Sequence, residues 1–529
     1  MASSTPDIPC ILPRLPQELT NAISRYLKGS DIKALRETCS AMARAVPLHF
    51  DRVFISANTF NIQVFKAIAD HDTYRHQVYE IVWDDACLFT GPERWQCRDE
   101  WEWNNRWPDT TVTENGCPRW FQKGSSTSDD ESYDNYNKPV ADNHMGLAEC
   151  WDYYKPLLED QQEILASNAD IEAFKYGLQR FTSLTRITIT LATHGRLGHP
   201  LYGTPMIRAF PPGFDYPIPK PWPTAPMDDA GEWQDDLLWI SEEGDARYQW
   251  FYGPHCTNEK YKEKWRGYQL VSRALVECEN QVKELKIGGH EISSGLNCRI
   301  FDQSCTEYDH FYTLLSRPGF RYLDLHLFTG LIEHEDWITY KTRLLRDALA
   351  HAKDMEHLCI RATTDLKEGF PQQLHPEDLQ MPLFPLRAVF PIDHWPRLKH
   401  FGISNFLVDL DDLIDVLSCL PSTLRCVELV NLALRNLEHN YDDLVRQMRD
   451  KLDWRSRPAK ERPKVHMICC GEGGCEEDEF FEVDDTVYSY LYGDGENQFV
   501  PESRYVARGR GGVWTAPLDP DSRAPFYPS

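Results

Sequence analysis

The sequence predicts an α/β chain: a small N-terminal helical unit, then an irregular solenoid of helix–strand units carrying long insertions. Three observations predict it. Short β-branched and leucine-rich runs recur along most of the chain, as in "VKELKIG", "FRYLDLHLF" and "LRCVELV". A helix-like segment precedes most of them. The opening stretch "LPQELTNAISRYLKGSDIKALRETC" (Leu15 to Cys39) instead shows apolar residues at helical spacing, with no strand nearby.

The first helix starts at Pro16, which suits the first helical position because its missing N–H would have no partner there. Leu19, Ile23, Tyr26 and Leu27 share one face, and Gly29 is placed to end the helix. Ser30 or Asp31 caps a second helix whose stripe is Ile32, Leu35, Cys39, Met42 and Val46, stopped by Pro47. Two helices this short bury little against each other alone.

Strands are then expected at "RVFIS" (Arg52 to Ser56), "VYEIVW" (Val78 to Trp83) and "LTRITIT" (Leu184 to Thr190), with a helix over Asn61 to Asp70. Six more begin at residues 282, 320, 355, 398, 424 and 463. The segments "YQLVSRALVECE", "YDHFYTLLSR", "YKTRLLRDALAHAK", "LDDLIDVLSCL" and "YDDLVRQMRDKL" supply helices between them. The repeated L-x-x-L-x-I/L flavour is leucine-rich-repeat-like, though the period is ragged and a regular asparagine ladder is missing. A stacked solenoid is preferred to an open doubly wound sheet, because one similar unit recurs and needs a neighbour to bury its face.

Insertions fall near 89–150 and 200–260. The first holds Trp95, Trp101, Trp103, Trp107 and Trp120 and the acidic, serine-rich "GSSTSDDESYDNYNKPVADN", expected to be disordered. The second contains the proline-rich "FPPGFDYPIPKPWPTAPMDDAGEW", unsuited to regular helix or central strand. The resulting division is a helical unit over 13–50, the α/β region over 51–470, and an acidic then Gly/Pro-rich tail over 471–529.

Of the 529 residues 41% are hydrophobic and 26% charged, enough to build more than one packed unit. The net charge of −26 argues against nucleic acid or an anionic membrane as partner, since both require a basic face. No run approaches the roughly 20 apolar residues of a membrane span. "MASSTPDIPC" has neither the basic nor the apolar part of an export signal, so the 16 scattered cysteines read as reduced thiols in the cytoplasm or nucleus.

Enzyme signatures are weak. There is neither a G-x-S-x-G elbow nor a phosphate loop, and "GHE" (Gly289 to Glu291) and "EHED" (Glu333 to Asp336) lack the second histidine of a zinc protease. "GEGG" (Gly471 to Gly474) and "GRGG" (Gly509 to Gly512) do not join a strand to a helix as a nucleotide cradle would. "HMICCGEGGC" gathers His466, Cys469, Cys470 and Cys475 without a second ligand pair, so buried thiols are preferred to zinc. The neighbouring "EEDEFFEVDD" lacks calcium-loop spacing and reads as a solvated face. The tryptophans are read as pins for an excursion rather than as a recognition surface. No catalytic constellation, cofactor or metal is expected.

The opening stretch resembles the F-box, carried by Leu15, Pro16, Glu18, Leu19, Ile23, Tyr26, Leu27, Ser30, Asp31, Ile32, Leu35, Arg36, Thr38 and Cys39. The continuation through "WDDACL", together with "ASNADIEAFKYGLQRF", "GLNCRIFD", "RPGFRYLDL" and "KYKEKWRG", resembles a large family of fungal F-box proteins. The resemblance implies a hairpin that docks on the Skp adaptor of a Skp–cullin–F-box ubiquitin ligase while the repeat region recruits a protein substrate. Leu15 and Pro16 would lead into the adaptor groove. Leu19, Ile23, Leu27, Ile32 and Leu35 would supply apolar contacts or the core beneath them. A non-degradative F-box scaffold is the alternative, and an α/β enzyme with a site distant in sequence a further one.

Overall fold

The computed structural model describes residues 15–24, 26–27, 29–91, 116–124, 145–195, 199–219, 222, 239, 262–288, 294–329, 338–363, 385–436, 439–470 and 480–499. The expected strands form, most starting about two residues later than the apolar runs suggest. They are β1 (Arg52–Ile55), β2 (Glu80–Asp84), β3 (Arg186–Thr190), β4 (Glu284–Gly288), β5 (Leu296–Asn297), β6 (Tyr322–Phe328), β7 (His357–Ala362), β8 (His400–Ser404), β9 (Leu407–Val408), β10 (Cys426–Val430), β11 (Ala433–Leu434), β12 (Lys464–Cys470) and β13 (Phe480–Glu482).

One large open sheet takes them in the order β1-β2-β3-β4-β6-β7-β8-β10-β12-β13. Pairing is parallel until β13, which returns antiparallel to β12. β5 adds to the end of β6, and β9 and β11 pair separately. Each long strand therefore lies beside its neighbours in the chain. Crossovers of the right-handed sense that parallel strands favour, repeated in one direction, place connecting helices on a single face. Successive helices pack on one another there: Thr59–Asp70 on Ala169–Leu178, Arg266–Glu277 on Thr306–Leu315, and Leu410–Cys419 on Tyr441–Lys451.

Side-chain alternation splits every strand between two faces. Ile81 and Trp83, Ile187 and Ile189, Leu285 and Ile287, Leu323 and Leu325, Leu358 and Ile360, Phe401 and Ile403, Val427 and Leu429, and Val465 and Met467 all enter one continuous core under the helices. The helices are capped where the sequence supplies short polar residues. Asn58 accepts from Phe60 and Asn61 N–H, Asp409 from Asp411 and Asp412, and Asn440 forms a reciprocal capping box with Asp443.

Several expectations are corrected. The N-terminal unit has three helices, Gln17–Ser24, Gly29–Glu37 and Ser40–Ala45, rather than two. Gly29 opens the second instead of ending the first, and Pro16 sits one place before the first helical residue. The expected long second helix breaks at Cys39, whose backbone is extended while its Sγ accepts from Met42 N–H at 3.5 Å. Thr38 promotes that break by donating its hydroxyl to Leu35 O at 2.6 Å. The helix expected over 340–353 is interrupted at Arg343, whose φ is +72°. An asparagine ladder is also present. Asn405 and Asn431 follow β8 and β10 with φ of +58° and +47°. Asn405 Nδ2 donates to Ala362 O at 2.9 Å, and Asn431 Nδ2 to Asn405 Oδ1 at 2.8 Å.

The helices Leu147–Ser167 and Ala169–Leu178 were not anticipated; Asn168, at φ +54°, turns one into the other. Residues 480–499, within the expected tail, add β13 and the helix Asp484–Tyr492, with Val483, Val487, Leu491 and Phe499 buried in the main core. Trp95, Trp101, Trp103, Trp107, the serine-rich segment, Cys475, "GHE", "EHED", "GEGG" and "GRGG" lie wholly or mainly outside the described residues. No described helix is long and apolar enough to cross a membrane.

Candidate functional site

The first helix has its sidedness reversed. Its buried residues are Thr20 and Ser24, whose hydroxyls donate back to Pro16 O at 3.3 Å and Thr20 O at 2.8 Å. Its large apolar residues face outward: Leu19 is 52% exposed, Ile23 42%, and Tyr26 in the following turn 91%. Only Phe60 and Tyr488 join them as exposed large hydrophobics among the described residues. Gln17 Nε2 donates to Ala45 O at 2.7 Å and ties this helix to the third. Beneath lies a separate small core of Ile32, Met42 and Val46, with Leu27, Leu35 and Leu48 packed against it. Of the seven residues expected at the adaptor, Pro16, Leu19 and Ile23 are exposed, Leu15, Leu27 and Leu35 half-buried, and Ile32 buried.

The second feature is the sheet face turned away from the helices. Parallel sheets usually present apolar residues on both faces. Here most of the alternate positions are polar, Phe54 and Val82 excepted, and they pair across neighbouring strands either directly or one step along. Arg52 Nε donates to Glu80 Oε2 at 2.7 Å, and Glu80 Oε1 accepts from Thr188 at 2.5 Å. Glu284 accepts from Arg186 at 2.8 Å and from Arg321 at 2.6 Å. Asp324 lies between Lys286 Nζ at 3.6 Å and Arg361 Nε at 3.5 Å, and Arg361 Nη1 donates to Glu428 Oε1 at 2.6 Å. Planar groups stack along the same face: Arg186 over Tyr322, Tyr322 on His357 at 4.1 Å, and His357 on His400 at 4.0 Å.

Burial and charge compete along this row. Burial works against the charges of Asp324 and Glu428, yet Arg361 beside both holds each carboxyl well below its ordinary value. Burial pushes His326 down to about 3, keeps His357 well below the usual imidazole range, and drives the Cys359 thiol well above its own. Burial also opposes a charged His466, but Asp484 Oδ2, 2.8 Å from its Nδ1, wins and raises it.

That geometry separates the residues of "HMICC". His466 lies on the polar face with Asp484, while Cys469, an odd number of residues on, enters the apolar core. Of the five tryptophans expected to act as pins only Trp120 is described; three tryptophans beyond that segment hold polar partners. Trp222 Nε1 donates to Asp85 Oδ2 at 2.8 Å, Trp239 Nε1 to Glu307 Oε2 at 3.1 Å, and Trp265 Nε1 to Gly295 O at 2.9 Å. Trp120 packs edge-on against Phe89 and Trp151. Asp85 of "WDDA" also accepts from Trp83 Nε1 at 3.2 Å, so this buried carboxylate anchors both its own strand and the proline-rich segment.

No family model matches this chain, and no curated protein matches it. The polar row escaped sequence reasoning because its members, Lys286, Asp324, Cys359, His400 and Glu428, are spread over more than 140 positions. A usable signal existed: charged or histidine residues occupy the alternate positions of β4, β6, β7, β8, β10 and β12, where a parallel strand buried on both faces would be apolar.

Proposed function

We propose that this chain is a non-catalytic substrate-recognition subunit of a Skp–cullin–F-box ubiquitin ligase. Residues 13–50 act as the F-box and dock on the Skp adaptor, and the α/β region recruits a protein substrate. The observation that carries the reading is the reversed first helix, with Leu19, Ile23 and Tyr26 outward and Thr20 and Ser24 inward. Covering a Leu or Ile fully yields about 1.5–3 kcal/mol relative to exposure, so such a face favours a partner groove. The α/β region is read as an irregular leucine-rich-repeat solenoid, on the sequential strand order, the single helix layer and the Asn405–Asn431 ladder.

The test is co-purification with the Skp adaptor. Leu15→Asp with Pro16→Ala, and separately Leu19→Asp with Ile23→Asp, should abolish recovery while circular dichroism stays native. Full adaptor recovery by both folded variants refutes the proposal. Partner abundance with and without the chain separates a degrading receptor from a scaffold, stable partners favouring the scaffold.

A further inference from the structure

Three side chains of unlike chemistry meet over β8. Cys359 of β7 and Glu428 of β10 share one register row with Gly402 between them, and His400 stands two residues earlier on the same central strand. Their donor atoms all lie within 4.8 Å of one another, and all three residues are buried. Cys359 Sγ is 3.8 Å from Glu428 Oε1, and His400 Nε2 is 3.5 Å from Glu428 Oε2.

The trio converges because position 402 has no side chain. A Cβ there would stand 2.8 Å from Cys359 Sγ and 3.3 Å from Glu428 Cβ. A tetrahedral ion with bonds of about 2.0–2.3 Å has ligand–ligand edges of about 3.3–3.8 Å. Cys359 and His400 each stand at such a separation from Glu428, one from each carboxylate oxygen, so a small turn of the carboxylate would set one oxygen against both. His400 adds an independent sign. Its side chain is 1% exposed, its Nδ1 has no hydrogen-bond partner, and its Nε2 reaches only Glu428 Oε2, at 3.5 Å. A buried imidazole left so is disfavoured unless something else takes up its lone pair.

We propose that Cys359, His400 and Glu428 form a binding site for a divalent cation of borderline softness, zinc foremost. Thiolate, imidazole and carboxylate are the donor types zinc takes together, and three protein ligands leave one position for water or an added ligand. On binding, the Cys359 S–H proton leaves to solvent and the thiolate bonds the metal. Arg361 Nη1 donates to Glu428 Oε1, the oxygen nearest Cys359, and leaves Oε2 turned to His400. The site is independent of adaptor docking, since its residues lie on three strands far along the chain from the N-terminal unit.

The test uses the full chain, stripped with chelator and re-equilibrated with Zn²⁺ alone, then with Co²⁺ as a spectroscopic substitute. One zinc per chain is expected, with a sulfur-to-cobalt charge-transfer band. X-ray absorption should show one sulfur near about 2.3 Å and two or three nitrogen or oxygen neighbours near about 2.0 Å. Cys359→Ser and Glu428→Gln should weaken binding at least about 10-fold, the smallest effect typical of disturbing a metal's surroundings, while leaving adaptor recovery unchanged. Absence of stoichiometric zinc overturns the proposal, as does a folded Cys359→Ser chain that retains it. Should Cys359→Ser fail to fold, the unmutated chain decides: a shell with no sulfur, or with two or more, overturns the site.

Discussion

Removing one cation from the polar row tests whether that row is an ionic structure or a decorated surface. Arg361 exposes 14% of its side chain and touches two carboxylates, Asp324 at 3.5 Å and Glu428 at 2.6 Å, whose side chains are 6% and 7% exposed. Arg361→Met keeps most of the aliphatic stem and deletes the charge, leaving two buried carboxylates short of their counterion. Breaking a buried pair in this way costs about 3–5 kcal/mol, and the residual exposure of Arg361 places the expectation near about 3 kcal/mol at pH 7. The sign of the pH dependence follows from the two carboxyls. Both are held below their ordinary values in the folded chain, so their stabilisation is complete above the unfolded values of about 4 and is lost as pH falls through the folded ones. In the variant that stabilisation is absent, and the deficit should be largest near pH 7 and shrink below about pH 4 as both carboxyls take up protons. The measurement is urea unfolding of both chains at a series of pH values, with amide hydrogen exchange in β7 and β10 locating the loss. Replacing both partners, Arg361→Met with Glu428→Leu, should recover part of it by removing one stranded charge. A deficit under about 1 kcal/mol at pH 7, or one that does not shrink as pH is lowered well below about 4, would refute the ionic account.

Ile32→Ala should cost about 2–5 kcal/mol within the N-terminal unit, whereas Leu19→Asp should leave unfolding nearly unchanged and act on partner capture; hydrogen exchange and adaptor pulldown on the same two proteins separate the effects. Gly267→Ala should yield little soluble protein, because the added carbon would sit 2.1 Å from Asp85 Oδ1 and 2.2 Å from Trp83 Nε1; soluble wild-type yield would count against that packing. Burial raises the Asp84 carboxyl to about 7, so the folded chain binds a proton there that the unfolded chain, near about 3.9, has already lost. Stability from this group therefore falls as pH rises from about 4 to 7, and Asp84→Asn should flatten that slope in urea titrations. Asn431→Ala should cost about 1–3 kcal/mol by removing its bond to Asn405, read as a shift in the urea midpoint.

The alternation of helix and strand was legible because burial writes itself locally. Each strand places Leu, Ile, Val or Phe at alternate positions against the helices, as in Leu323, Leu325 and Leu327, and each helix repeats its apolar residues every third or fourth place. The three-helix form of the N-terminal unit was not legible. Cys39, Met42 and Val46 continue the apolar stripe of the preceding helix, and nothing in that spacing shows that Thr38 bonds back to Leu35 and Cys39 turns extended. The ladder of Asn405 and Asn431 was missed for a similar reason. Two asparagines 26 residues apart carry a signal only once β8 and β10 are known to be neighbours.

Local sequence by itself marked the long strands and most of the helices between them, since backbone preference and apolar periodicity act over a few residues. Tertiary structure alone decided which polar residues would meet. Cys359, His400 and Glu428 converge only because β7, β8 and β10 pair in register and Gly402 keeps the space between them clear. The same holds for the first helix: spacing shows that Leu19 and Ile23 share a face, but whether that face turns inward depends on what the rest of the unit can bury. Here Ile32, Met42 and Val46 fill the small core, and Thr20 and Ser24 take the inward positions.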